Sequence, residues 1–199
     1  MTSARRVVAL RGAPRKVVAV LLLVALGCTT SRAAADPQWH LALSPGGCLV
    51  RGRGSEQDFS WCGSLSTHVL FLRQRDSDFG LGPYARMLGI LGDSASGSAG
   101  LSALVPLNPT YPFIVSAGAA ASSRGEGTSA GADLWVFWGP TSYNFHSSYS
   151  MVSGLLVGAQ KTWGPEPTTT LAFAAQLDLV LAAIPFIALF ELLRGPPER

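Results

Sequence analysis

From Trp39 to Leu181 the chain is cut into eight runs of about 10–14 residues, and in each the polarity changes from one residue to the next. Side chains on a strand alternate between two faces, so this period of two marks β-strands and argues against helices. The runs cover roughly 39–50, 59–73, 79–91, 98–107, 112–123, 129–139, 149–162 and 169–181. Between them lie stretches rich in Gly, Pro, Asn, Asp and Ser, such as Gln74–Asp78, Gly92–Gly97, Asn108–Thr110 and Gly164–Pro167. Those residues supply the backbone angles that turns need. Short breaks between strands favour an antiparallel up-and-down meander. The fold class expected is all-β: one closed antiparallel barrel of about eight strands over 36–181.

The two faces of these runs differ. One is apolar throughout, with Leu81, Ala85 and Met87 in the third run, Leu134 and Val136 in the sixth, Leu155 and Val157 in the seventh, and Leu171, Phe173 and Leu177 in the eighth. The other combines small residues with isolated polar ones: Arg86, Asp133, Gln160, Gln176 and Asp178. A soluble barrel needs a wet outer face. This chain has only 14% charged residues against 48% hydrophobic, and a single lysine, Lys161, beyond residue 35. The economical arrangement is inside-out, with the apolar face toward lipid and the small and polar residues filling a narrow interior. Arg86, Asp133 and Asp178 are then expected to form a buried ion cluster that fixes strand register, since an unpaired charge there would be very costly. Trp39, Trp61, Tyr111, Trp138, Tyr149 and Trp163 fall near strand ends, as in interfacial girdles.

Residues 1–35 read as an export signal. Arg5, Arg6, Arg11, Arg15 and Lys16 precede the apolar run Val17–Leu26, which is short for a membrane span. Two processing routes stay open: cleavage after Ala33-Ala34-Ala35, or a lipobox at Ala25-Leu26-Gly27-Cys28 with Cys28 as the lipidated residue. Six of the fifteen basic residues, Arg32 included, lie in this segment and none of the twelve acidic ones. The remainder therefore carries nine against twelve, a net of −3 rather than +3. Nucleic acid is not an expected partner. In an oxidising compartment Cys48 and Cys62, which flank the first hairpin loop, are expected to pair.

Residues 182–194 lose the alternation. A short apolar helix is expected, with Pro185 in its first turn and Gly195-Pro196-Pro197 ending it. It is expected to lie at the membrane interface, plug a barrel mouth or cover an open end of the core.

Run length, alternation and export signal together resemble the small eight-stranded bacterial outer-membrane barrels over about residues 39–181. The resemblance implies an outer-membrane address, lipid as the surrounding partner and a structural, adhesive or narrow-pore role. The chain departs from that class after its last strand, continuing through the apolar helix to Arg199 instead of closing on an aromatic residue. A second arrangement turns the faces around: a periplasmic or lipid-anchored barrel of lipocalin type, binding a small apolar ligand. A third reading rests on His146 and Ser148, whose His-x-Ser spacing is similar to that of outer-membrane lipid A deacylases. It would make Ser148 a nucleophile and His146 its base. No acid stands at a matching position. His40, His68 and His146 are far apart in sequence, no zinc spacing occurs, and no cofactor is expected.

Overall fold

The structure is a computed structural model that describes residues 37–52, 56–73, 75, 77–108, 110–124, 127–143, 149–164 and 166–194. The export segment with Cys28, the loop residues His146 and Ser148, and the tail after Arg194 lie outside the described residues.

Eight long strands close into one antiparallel barrel. They are β1 (Gln38–Gly52), β2 (Asp58–Leu70), β3 (Gly80–Ile90), β4 (Ser94–Val105), β5 (Phe113–Arg124), β6 (Gly127–Trp138), β9 (Gly154–Trp163) and β10 (Thr168–Asp178). Two three-residue strands, β7 (Thr141–Tyr143) and β8 (Ser150–Val152), form a separate hairpin. One helix, α1 (Leu179–Arg194), follows β10. Around the wall the order is β1-β10-β9-β6-β5-β4-β3-β2, and the β1–β10 pairing, from Ala42 opposite Asp178 to Gly52 opposite Thr168, closes it.

Alternation is what makes these segments strands. In β3 every second residue from Gly80 to Ile90 is buried and every other one exposed. Leu134, Leu155 and Leu177 are 51, 58 and 41% exposed. The apolar face therefore points outward, and the lipocalin-type arrangement, which needs these leucines inside, is excluded.

Connections at the two ends differ. Residues 53–57, 91–93, 125–126 and 164–167 make tight links at one end, here the turn end. The other, the helix end, carries Gln38, the links 71–79, 106–112 and 139–153, and α1.

Three boundaries depart from expectation. β4 begins at Ser94, four residues early, because its first half is Ser, Ala and Gly and has no apolar alternation to read. The seventh run splits: 150–152 pairs with 141–143, and the barrel strand starts only at Gly154. Gly139 and Gly154 meet at the split. A Cβ on Gly139 would lie 2.3 Å from the Ser153 carbonyl oxygen and 2.6 Å from the Gly154 Cα, so only glycines allow the two chains to come this close. Finally, α1 starts at Leu179 and not at 182, which puts Pro185 inside the helix. Asp178 sets that start. Its Oδ1 accepts the Val180 amide at 2.8 Å and the Leu181 amide at 3.4 Å, satisfying donors that a helix N-terminus otherwise leaves open.

Cys48 of β1 and Cys62 of β2 are joined in a disulfide spanning 14 residues. Cys48 is fully buried and belongs to the apolar set at the turn end, with Val50, Leu88, Ile90 and Ala172. A loop of this length is expected to contribute about 3 kcal/mol by restricting the unfolded chain. Replacing both cysteines with serine should lower unfolding stability by about that amount without changing strand content. Urea titration followed by circular dichroism, with and without reductant, measures it.

The barrel interior as candidate functional site

Parity sends Tyr84 and Arg86 of β3 and Asp133 and Trp135 of β6 into the interior, and all four are buried. β3 and β6 are not neighbours, since β4 and β5 lie between them, so contacts among the four cross the lumen. The Tyr84 hydroxyl donates to Asp133 Oδ1. Trp135 Nε1 donates to Asp133 Oδ2 at 2.7 Å. The Arg86 guanidinium lies 4.2 Å from the centre of the Trp135 ring, and its Nη1 donates to Ser64 Oγ at 3.4 Å. One carboxylate thus takes two donors from opposite walls, and one cation rests on the indole that supplies one of them. Such stacking is favourable when desolvated. Gly158, opposite Trp135 on β9, makes room for the ring: a Cβ there would come 1.8 Å from Trp135 Cε3.

A second strut crosses lower down, where Ser96 Oγ of β4 donates to Gln160 Oε1 of β9 at 2.9 Å. Nearer the helix end, His40 and His68 are register partners whose rings stack at 4.4 Å and 19°. His68 Nδ1 is 2.8 Å from Ser102 Oγ, which in turn is 2.5 Å from Ser116 Oγ. The interior of β1, β2, β3 and β10 also holds buried polar atoms with no protein partner: His40 Nε2, His68 Nε2, Ser44 Oγ, Ser66 Oγ, Arg86 Nε and Gln176 Oε1.

The five polar residues singled out in the sequence, Arg86, Asp133, Gln160, Gln176 and Asp178, are all buried and face inward. They do not form one cluster. Asp178 belongs to the helix end: it caps α1, accepts the Tyr149 hydroxyl at 2.7 Å through Oδ2, and its own amide donates to Ser153 Oγ at 3.3 Å. Asp178 is therefore a junction of β10, α1 and the hairpin segment, and the expected ion cluster is corrected accordingly. Burial, then the Asp178 hydrogen bond, pushes the Tyr149 phenol above its usual pKa. Tyr149 is accordingly half-buried, tucked against Trp39 with ring centres 4.7 Å apart, and does not stand in a girdle.

Sequence reading missed Tyr84, Trp135 and the His40–His68 pair. The signal was present in parity: residues 84 and 86 share a face, as do 133 and 135. It also missed how apolar the interior is near the helix end, where Leu70, Leu104, Ile114, Phe137, Val152 and Leu156 pack together. A shallow cavity of about 150 Å³ opens at the turn end beside Val50, Asp58, Leu91 and Asp93. Among the described residues no group of three or more His, Cys, Asp or Glu side chains is placed to hold a metal ion.

The chain thus has the architecture of the small eight-stranded barrels. No family model matches it, and no curated protein matches it. Among solved structures it is similar to Ail, the attachment invasion locus protein of Yersinia pestis, crystallised with the heparin analogue sucrose octasulfate. Identity is 10%, the TM-score is 0.28, and the match covers 70% of this chain and 99% of that one.

Two outcomes follow for the interior. Asp133→Ala leaves the Tyr84 hydroxyl and the Trp135 N–H without their acceptor and should cost about 1–3 kcal/mol for each buried donor left open. Asp178→Ala removes a helix cap, at about 0.5–2 kcal/mol, and the acceptor of the Tyr149 hydroxyl, at about 1 kcal/mol more. Since the two sites share no partner, the double variant should be additive in urea unfolding; a coupled result would restore a single ion cluster. Gly158→Ala should overpack the Trp135 site, lowering stability by about 1–3 kcal/mol and altering the near-ultraviolet signal of the indole.

Proposed function

We propose that this chain is a non-enzymatic outer-membrane β-barrel with a structural role, its solid interior making it a scaffold in the bilayer and not a conduit. The observation that carries this reading is the outward apolar belt bounded at both ends by aromatic rings. At the helix end Trp39, Phe71, Phe79, Tyr111 and Trp138 are exposed, and at the turn end Phe59, Trp61 and Trp163. Trp39 is paired with Val69, eight residues along β2 from Trp61. Trp138 is paired with Leu155, likewise eight residues along β9 from Trp163. Eight residues extend roughly 27 Å along a strand, or roughly 20 Å along the axis at a tilt of about 40°, close to the apolar band of about 25 Å in outer-membrane barrels. In water such a surface would be a very large exposed apolar patch. In lipid it is the required one.

The export signal read from residues 1–35 agrees with this address. The preference for a structural role over a pore comes from the lumen, which Tyr84, Arg86, Asp133 and Trp135 bridge and the apolar set at the helix end fills.

The test is made on envelope fractions of cells producing the chain. The protein should sediment with the outer membrane and run faster on a detergent gel unheated than boiled. Reconstituted in planar bilayers, it should leave conductance at the lipid background. Recovery from the soluble periplasm would overturn the membrane reading. Membrane fractionation with discrete conductance steps would overturn only the scaffold role.

A further inference from the structure

We infer that helix α1 is lipid-embedded along its whole circumference, as the outer wall of the barrel is. This rests on the membrane reading of the barrel and adds to it a second lipid-facing element.

The first observation is exposure without a polar side. Val180, Leu181, Ile184, Phe186, Ile187, Leu189, Phe190 and Leu193 are between 41 and 77% exposed. At 100° per residue they point in every direction around the axis. A helix lying on a membrane surface or in a protein groove keeps a polar face outward. Between Leu179 and Phe190 this helix has no polar residue at all. It therefore neither plugs the barrel mouth nor covers an open end of the core, as two of the sequence expectations had it.

The second observation is that two of its N-terminal amides, those of Val180 and Leu181, are satisfied from within the chain, by Asp178 at the mouth of the barrel. Lipid demands this, because hydrocarbon offers no partner to a free N–H. The third is continuity. Leu177 on the barrel wall and Val180 and Leu181 on the helix are all outward, so the apolar belt runs onto the helix without a break. Sixteen residues reach about 24 Å, against a hydrocarbon core of about 30 Å. No described helix is long and apolar enough to cross a membrane.

A second copy of the chain is a poorer occupant. Helices that pair inside lipid bring small residues together at four-residue spacing. The alanines here, Ala182, Ala183 and Ala188, have no such spacing.

The test uses the full exported chain carrying Cys28→Ser, refolded into vesicles of phosphatidylethanolamine and phosphatidylglycerol. A nitroxide is attached singly at Ile184→Cys, Ile187→Cys, Leu189→Cys and Phe190→Cys, with Leu134→Cys as the wall reference and Ser77→Cys as the aqueous one. Accessibility to oxygen is compared with accessibility to a water-soluble nickel chelate. All four helix sites should match Leu134→Cys, with an oxygen-to-nickel ratio several-fold above that of Ser77→Cys and no helical period. Nickel access at the helix sites while Leu134→Cys stays in lipid would overturn the inference and leave the barrel reading intact. Protection from both reagents along one face would overturn it in favour of a protein partner or a second copy. Nickel access at Leu134→Cys would overturn both readings together.

Discussion

Everything in this fold depends on the seam between β1 and β10. A strand that meets lipid on its outside cannot leave its amides and carbonyls open, so the first and last strands must find each other across more than a hundred residues of sequence. They do so over Ala42–Gly52 and Thr168–Asp178, in one constant register. Pro45 lies inside this stretch and has no N–H to donate. The pairing with β10 passes from Leu43 to Gly46, and the buried Gln176 side chain stands inside the barrel at that gap. Because Asp178 is held opposite Ala42, the seam also fixes the point at which strand becomes helix. It thereby fixes the cap of α1 and the anchor for Tyr149.

Closure leaves an interior that must be filled. Apolar side chains fill it toward both ends, joined at the turn end by buried Ser129, Thr162 and Thr170, and hydrogen-bonded struts cross the lumen. Two forces agree here. The struts are protected from water by the apolar layers, which strengthens them electrostatically. In return they specify which opposite strands face each other, something apolar packing alone leaves loosely defined. The Tyr84–Asp133–Trp135 arrangement ties β3 to β6, and Ser96–Gln160 ties β4 to β9. Both skip two intervening strands.

The architecture was legible because a period of two survives any tertiary context in which one face differs from the other. Leu134, Leu155 and Leu177 could be put on one common face, but whether that face met lipid or a ligand cavity was decided only by their exposure. What could not be read was pairing across the lumen. Parity says that Arg86, Asp133 and Asp178 look inward, but not which of them meet. Asp178 was lost to a competing role, as a helix cap, that depends on where the strand stops. The β7–β8 hairpin was hidden for a different reason: no Gly, Pro, Asn or Asp turn cluster marks residues 150–154, where the close approach of Gly139 and Gly154 accompanies the break.

On the proposed membrane reading, the unequal ends carry a further consequence. An even number of strands puts Gln38 and Asp178 on the same side. A chain delivered from the periplasm has its termini there, so the helix end faces the periplasm. The longer links, the β7–β8 hairpin and α1 then lie on the inner side, and the tight links of two to five residues face outward. Outer-membrane barrels ordinarily have this the other way round, with short periplasmic turns and long outer loops. Adhesion calls for exposed loop surface, and this outward end offers little. The elaborated surface is the one next to the inner leaflet, where Asp178 joins strand, hairpin and helix. Partners of this barrel should therefore be sought on the periplasmic side or within the lipid around α1.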